Sequence, residues 1–256
     1  MSPQNFRTRF EARKGLIGSF IKSPTYQPTE ILGMMGFDFI VIDEEHAPFN
    51  RETVDMIILA AKAAGIAPLV RVPDIGGILS VIDCGATGVL VPHVKSAEIA
   101  RQAVAACRYQ KGSRGFSPSG RAGNYGTVTR HDHITSQDQS IAVLAMIEDP
   151  EALDVIDDIM AVDDLTGVFI GRGDLTTAFG ASSPKDTVVT QAVATILAAA
   201  KRHNKPACMM VENAELAADF ASQGATAFII GSDQSLLKRG AKAASAEYAA
   251  FFSTHP

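Results

Sequence analysis

The run Phe39-Ile40-Val41-Ile42 passes straight into Asp43, Glu44, Glu45 and His46, so a segment suited to burial ends on three carboxylates and an imidazole. A carboxylate can fix an imidazole's tautomer and raise its basicity, which makes Asp43 and His46 a candidate general-base pair. Arg71 sits within a second apolar run, "PLVRV". Its planar, permanently charged fork suits a carboxylate or an enolate oxygen. Glu148 closes "AVLAMIE", and Asp174 follows "GVFIG" by three residues. Two carboxylates, completed by waters and a substrate oxygen, are what Mg2+ or Mn2+ accepts. Each residue also has a structural alternative. His46 could be a surface histidine beside a helix N-cap, Arg71 an ion-pair partner of a nearby acid, and Asp174 the cap of a helix starting near Leu175.

These residues converge only if the surrounding elements bring them together. Apolar runs rich in Val, Ile, Leu and Phe fall at 15–20, 38–43, 68–72, 88–92, 142–148, 167–171, 207–211 and 227–232. They are continuous rather than alternating, as expected of parallel strands covered on both faces. Helical patterns lie between them. Ser96 is the expected N-cap of a helix burying Ile99, Ala100, Val104 and Cys107. Asp149 and Pro150 should open the next helix, with Leu153, Ile156 and Met160 buried. A helix from Asn213 should end at Gly224, a natural C′ residue. Eight alternating units in a chain of 256 residues predict an α/β fold, the (β/α)8 TIM barrel, as a single domain over 1–256. An open doubly wound sheet fits less well, because no GxGxxG turn follows the first strand.

In such a barrel, chemistry collects at the C-terminal ends of the strands. That rim is expected to carry Asp43 to His46, Arg71, His93, Glu148 and Asp149, Asp174, Glu212, and Ser232 with Asp233. No lysine is expected there. Gly171 and Gly173 suggest close backbone approach to a ligand. The stretch 110–139 breaks the rhythm and reads as a long loop, either a lid or a surface excursion. His131 and His133 would share a face only on a strand, so metal ligation there is a minor option.

Composition narrows the function classes. A net charge of −5, from 23 basic and 28 acidic residues with no basic run, argues against a nucleic-acid surface. Cys84, Cys107 and Cys208 form no CxxC pair, and so sparse a count suits a reducing compartment. No run approaches the roughly 20 apolar residues a membrane helix needs, and the first fifteen residues lack the apolar segment of a signal peptide. A soluble, cytoplasmic protein is the expectation.

The motifs "DFIVIDEEHAPF", "PLVRVP", "SRGFS", "IEDPEALDVIDDI", "GVFIGRGDLTTAFG" and "IIGSDQSLL", in this order, resemble the class II, metal-dependent pyruvate aldolases. These are the 4-hydroxy-2-oxoheptanedioate and 2-dehydro-3-deoxyglucarate aldolases of the phosphoenolpyruvate/pyruvate barrel superfamily. The resemblance covers nearly the whole chain. It implies that Glu148 and Asp174 hold a divalent metal, Mg2+ or Mn2+ with Co2+ an alternative, and that this metal chelates a 2-oxo acid. Arg71 would steady the keto oxygen as it becomes an enolate. His46, oriented by Asp43, would move protons through a metal-bound water. Backbone amides at Gly173 and Asp174 would meet the substrate carboxylate. The family is usually hexameric, and the region at 114–125, with Arg121 as candidate, would help complete a site.

Two departures from the family pattern put the substrate in question. Met146 stands where Gln is common, and Arg172-Gly173 where Pro-Ala is common. Arg172 places a positive charge by the site and could favour an acceptor with an extra carboxylate. The expected reaction is reversible aldol cleavage of 4-hydroxy-2-oxo acids, giving pyruvate or hydroxypyruvate and an aldehyde. The competing readings are an acyl-CoA lyase of the citrate lyase β-chain type and a non-catalytic 2-oxo-acid-binding protein. Met146 is the feature that leans toward the latter.

Overall fold

A computed structural model describes residues 6–255. Eight parallel strands close into a barrel in chain order. They are β1 (Leu16–Ile21), β2 (Phe39–Asp43), β3 (Ala67–Arg71), β4 (Gly88–Val91), β5 (Ala142–Ile147), β6 (Gly167–Ile170), β7 (Ala207–Met210) and β8 (Ala225–Ser232). All eight expected strands are present, with ends within two residues of the expected ones. The strands β2 to β6 are buried at every position, which is why their sequences do not alternate.

Two packed layers follow. Inward-facing Phe20, Phe39, Leu69, Leu90, Leu144, Met146, Phe169 and Ile229 fill the barrel. Outward-facing residues such as Ile40, Val70, Val89 and Val168 pack against the helices. A short helix absent from the sequence reading, Phe6–Glu11, adds Phe6 and Phe10 to the interior cluster. Phe6 packs against Phe39 with ring centroids 5.2 Å apart. Each such ring stabilises the fold by about 1.5–3 kcal/mol through burial.

Several local expectations hold. Ser96 Oγ accepts the Ile99 amide, and Asn213 Oδ1 accepts the Leu216 amide. Gly224 follows the C-cap with φ +110°, a conformation that favours glycine. Others need correction. The helix expected from Pro150 starts at Glu151 and breaks at Val155 (φ −122°, ψ 21°) into Glu151–Asp154 and Ile156–Met160. Its buried residues are Ala152, Ile156, Ile159 and Met160, with Leu153 half-buried. The stretch expected as loop ends in a helix, Arg130–Ser140, whose Thr129 cap accepts the Asp132 amide. Its one buried residue is His133, so it carries no apolar stripe to read.

The last helix, Asp233–Thr254, buries only Asp233. Leu237, Tyr248, Phe251 and Phe252 on it are exposed, and the outward-facing Phe228 and Ile230 of β8 stay half-buried. Among the described residues, no helix is long and apolar enough to cross a membrane.

Candidate active site

The ends of β2 and β3 build one wall of the barrel mouth. Asp43 and Arg71 are the last residues of their strands and pair in register. Arg71 donates from Nε to Asp43 Oδ1 at 2.9 Å and from Nη2 to Oδ2 at 2.7 Å. Its third nitrogen, Nη1, lies 3.1 Å from Glu45 Oε2. Asp43 is fully buried and Arg71 nearly so. Burial opposes ionisation of Asp43, but the Arg71 and Lys22 contacts outweigh it and hold the carboxyl below its ordinary range.

Lys22 was not anticipated. It follows β1 directly, and its Nζ lies 2.9 Å from Asp43 Oδ2. The expectation of a rim without lysine is therefore wrong. The reason is that the strand expected over 15–20 ends two residues before the lysine, whereas β1 runs on to Ile21 and delivers Lys22 to the rim.

The expected pairing of Asp43 with the His46 ring does not form. Asp43 Oδ1 instead accepts the His46 backbone amide at 3.2 Å, and the imidazole stands in solvent with Glu45 Oε2 3.7 Å away. Three-residue spacing places an amide, not a ring, over the carboxylate at the start of this turn.

The opposite wall carries the acids. Glu148 is 2% exposed, and its Oε1 accepts the His93 amide at 2.9 Å. His93 reaches that position in the left-handed region, φ 52°, which is uncommon for a residue with a side chain. Gly171 lets Glu148 in: a Cβ at Gly171 would lie 2.6 Å from Glu148 Cβ and 2.8 Å from its Oε2. The smallness of Gly171 thus serves the carboxylate rather than a ligand, while a Cβ at Gly173 would meet nothing within 4 Å. Burial pushes the Glu148 carboxyl up to about 7, and the Asp174 charge adds to it against the His93 amide.

Asp174 is exposed, in the first turn of the helix Arg172–Ala178, and caps nothing. It makes no hydrogen bond or ion pair among the described residues. Asp149 does not cap its helix either; it pairs with His93 Nδ1 at 3.0 Å and Lys95 Nζ at 3.1 Å. His93, Glu148 and Asp149 offer ligand atoms within 4.8 Å of one another, a group that spacing alone did not single out. Burial pulls the His93 imidazole down, but its carboxylate neighbours more than compensate and raise it.

Between the walls lies a cavity of about 410 Å³, lined by Lys22, Arg71, Met146, Phe169, Arg172 and Asp174 among others. The Arg172 guanidinium is directed to the Met210 carbonyl at 2.9 Å and to both Glu212 oxygens at 3.2 Å. Arg121 does not line this cavity. It pairs with Asp55 at 3.0 Å and donates to the Cys84 carbonyl at 2.7 Å. His131 and His133 are not brought together: His131 is exposed, and buried His133 has Nε2 2.9 Å from the Tyr109 hydroxyl.

Fold and mouth together define a barrel enzyme that sets the paired Asp43–Arg71–Lys22 cluster across from the buried Glu148. The chain belongs to the HpcH/HpaI aldolase/citrate lyase family, which matches residues 16–239. It is 36% identical over 238 residues to a 5-keto-4-deoxy-D-glucarate aldolase of Enterobacter sp. (strain 638), covering 90% of this chain and 91% of that one. The citrate synthase SbnG superposes with a TM-score of 0.88 at 32% identity, over 97% of this chain and 98% of that one. A family protein from Burkholderia cenocepacia J2315 superposes with a TM-score of 0.90 at 25% identity, over 96% and 99% of the two chains.

Proposed function

We propose that this chain catalyses the reversible aldol cleavage of 4-hydroxy-2-oxo acids to pyruvate or hydroxypyruvate and an aldehyde, with a divalent metal, Mg2+ or Mn2+, as cofactor. The observation that carries the reading is the buried Glu148, held by the His93 amide and raised by that burial and by the charge of an exposed, unpaired Asp174 that lines the same cavity as Arg71. Family membership and the aldolase relatives make the chain a carbon–carbon lyase.

The residues fit a hard cation. Glu148 Oε2 accepts no hydrogen bond among the described residues, although the side chain is buried. That leaves this oxygen free to take a ligand. Glu148 and Asp174 would hold the metal, with His93 and Asp149 close enough to contribute. Bound there, a divalent metal would supply Lewis-acid stabilisation to a 2-oxo acid.

The chain's own residues do the rest. Arg71 presents a rigid fork, already oriented by Asp43 and Glu45, toward oxygen that gains charge as the enolate forms. His46, exposed at the mouth beside Glu45, removes the 4-hydroxyl proton in cleavage and returns it in condensation. The Gly173 and Asp174 amides, at the first turn of their helix, receive the substrate carboxylate. Phe20, Met146 and Phe169 give the cavity an apolar lining that limits water. Arg172 is a weaker substrate-binding candidate because Glu212 already neutralises it, and a role for Arg121 would need a second chain.

The likeness to a citrate synthase is compatible with the same enolate chemistry run toward bond formation. The exposed apolar residues of the last helix support a homo-oligomer, and the proposed state is a hexamer in the cytoplasm, as the resemblance implies. The test is aldol turnover of pyruvate with a panel of aldehydes, before and after chelation. Metal-restorable product formation is expected; pyruvate binding without turnover would favour a non-catalytic 2-oxo-acid-binding protein.

A further inference from the structure

Lys22 is held at both ends. The Lys22 and Ser23 amides donate to the two carboxylate oxygens of Asp233 at 2.9 and 3.0 Å, and Asp233 is buried. At the other end Nζ lies 2.9 Å from Asp43 Oδ2, with the side chain 29% exposed. Three cations line the cavity: Lys22, Arg71 and Arg172. The Arg71 fork is oriented by Asp43 and Glu45 toward the keto oxygen, and Arg172 directs Nη2 to Glu212 and the Met210 carbonyl while its buried Nε has no partner among the described residues. An ammonium has three donors. Asp43 takes one, and no second carboxylate pairs with Lys22 among the described residues. Lys22 therefore keeps donors that no carboxylate among the described residues takes, on a side chain that lines the cavity.

Position gives those donors a use. In the closed order of eight strands, β1 stands opposite β5, whose end carries Glu148. A 2-oxo acid held by Glu148 and Asp174 exposes its reacting carbon to the middle of the mouth. The acceptor must meet it there, so the acceptor's far end falls on the β1 side.

We infer that Lys22 is a specificity-determining residue whose ammonium binds an anionic carboxylate at the far end of the acceptor aldehyde. This rests on the aldolase reading above. The contact is non-covalent; Lys22 forms no bond to the substrate carbonyl.

The experiment compares kcat/KM for 4-oxobutanoate and butanal, with pyruvate and metal, in the wild type, Lys22→Gln and Lys22→Arg. The ratio of acidic to neutral acceptor should fall about tenfold or more in Lys22→Gln, chiefly through KM, because a charge-assisted hydrogen bond is lost. Lys22→Arg keeps the charge and should retain part of the preference. An unchanged ratio in Lys22→Gln overturns the inference, as does a Lys22→Arg enzyme that turns over with no preference. Borohydride reduction in the presence of pyruvate gives a second check: a pyruvate adduct on Lys22 would make it a Schiff-base residue and overturn the non-covalent role. If the wild type forms no product with either aldehyde, the aldolase reading fails first and takes this inference with it.

Discussion

Asp43 and Arg71 face each other in register at the ends of adjacent strands, joined by two hydrogen bonds of 2.9 and 2.7 Å. Neither residue could be buried alone. Together, with Lys22 and Glu45 beside them, they form a rigid charged wall where the apolar barrel ends.

Asp43→Ala should therefore be costly to the fold as well as to catalysis. It leaves a buried guanidinium without its bidentate partner, which typically costs about 3–5 kcal/mol. Urea unfolding reads this directly. A loss under about 1 kcal/mol would mean that Glu45 alone can balance Arg71.

Gly171→Ala is a sharper probe of the opposite wall. The added methyl would lie 2.6 Å from Glu148 Cβ, so one of the two must shift. Overpacking of this kind costs about 1–3 kcal/mol. The displaced carboxylate should weaken Mn2+ binding at least about tenfold, measured by calorimetric titration. Unchanged affinity would remove Glu148 from the proposed metal site.

The raised Glu148 gives a pH signature. Its carboxyl sits near 7 in the folded chain against 4.5 ordinarily, so between those values the folded state holds a proton the unfolded state has released. Stability of the metal-free protein should fall as pH rises through that window and level off above it. Metal binding must expel the same proton, so affinity should rise with pH up to about 7 and then flatten. Glu148→Gln should abolish this part of both profiles.

The cysteines should be inert in the native state. Burial pushes the Cys84 thiol up to about 11 and the Cys107 thiol up to about 12, and raises Cys208 as well. Titration with a thiol reagent at pH 8 should be slow until denaturant is added. Rapid labelling of Cys107 or Cys208 in native buffer would contradict the packing described.

The strands were legible because burial on both faces leaves continuous apolar runs, and the rim residues because charges must follow where such runs stop. Lys22 was missed because it sits one residue beyond a strand with no second charge beside it. The helix Arg130–Ser140 was missed because it is polar nearly all round, and Phe6–Glu11 because six residues carry too little periodicity. The His93 contact with Glu148 joins residues 55 apart through a left-handed backbone, which no local pattern announces. The Asp43–His46 spacing suggests a side-chain pair, whereas the turn geometry delivers the amide.

The central claim is enolate formation at Glu148 and Asp174. The most direct measurement is methyl-proton exchange of pyruvate in D2O, followed by NMR with metal-stripped and metal-restored protein. The account predicts exchange that appears with Mg2+ or Mn2+ and is lost in Glu148→Ala. Exchange that persists in Glu148→Ala, or none at all in the metal-loaded wild type with pyruvate bound, would contradict it.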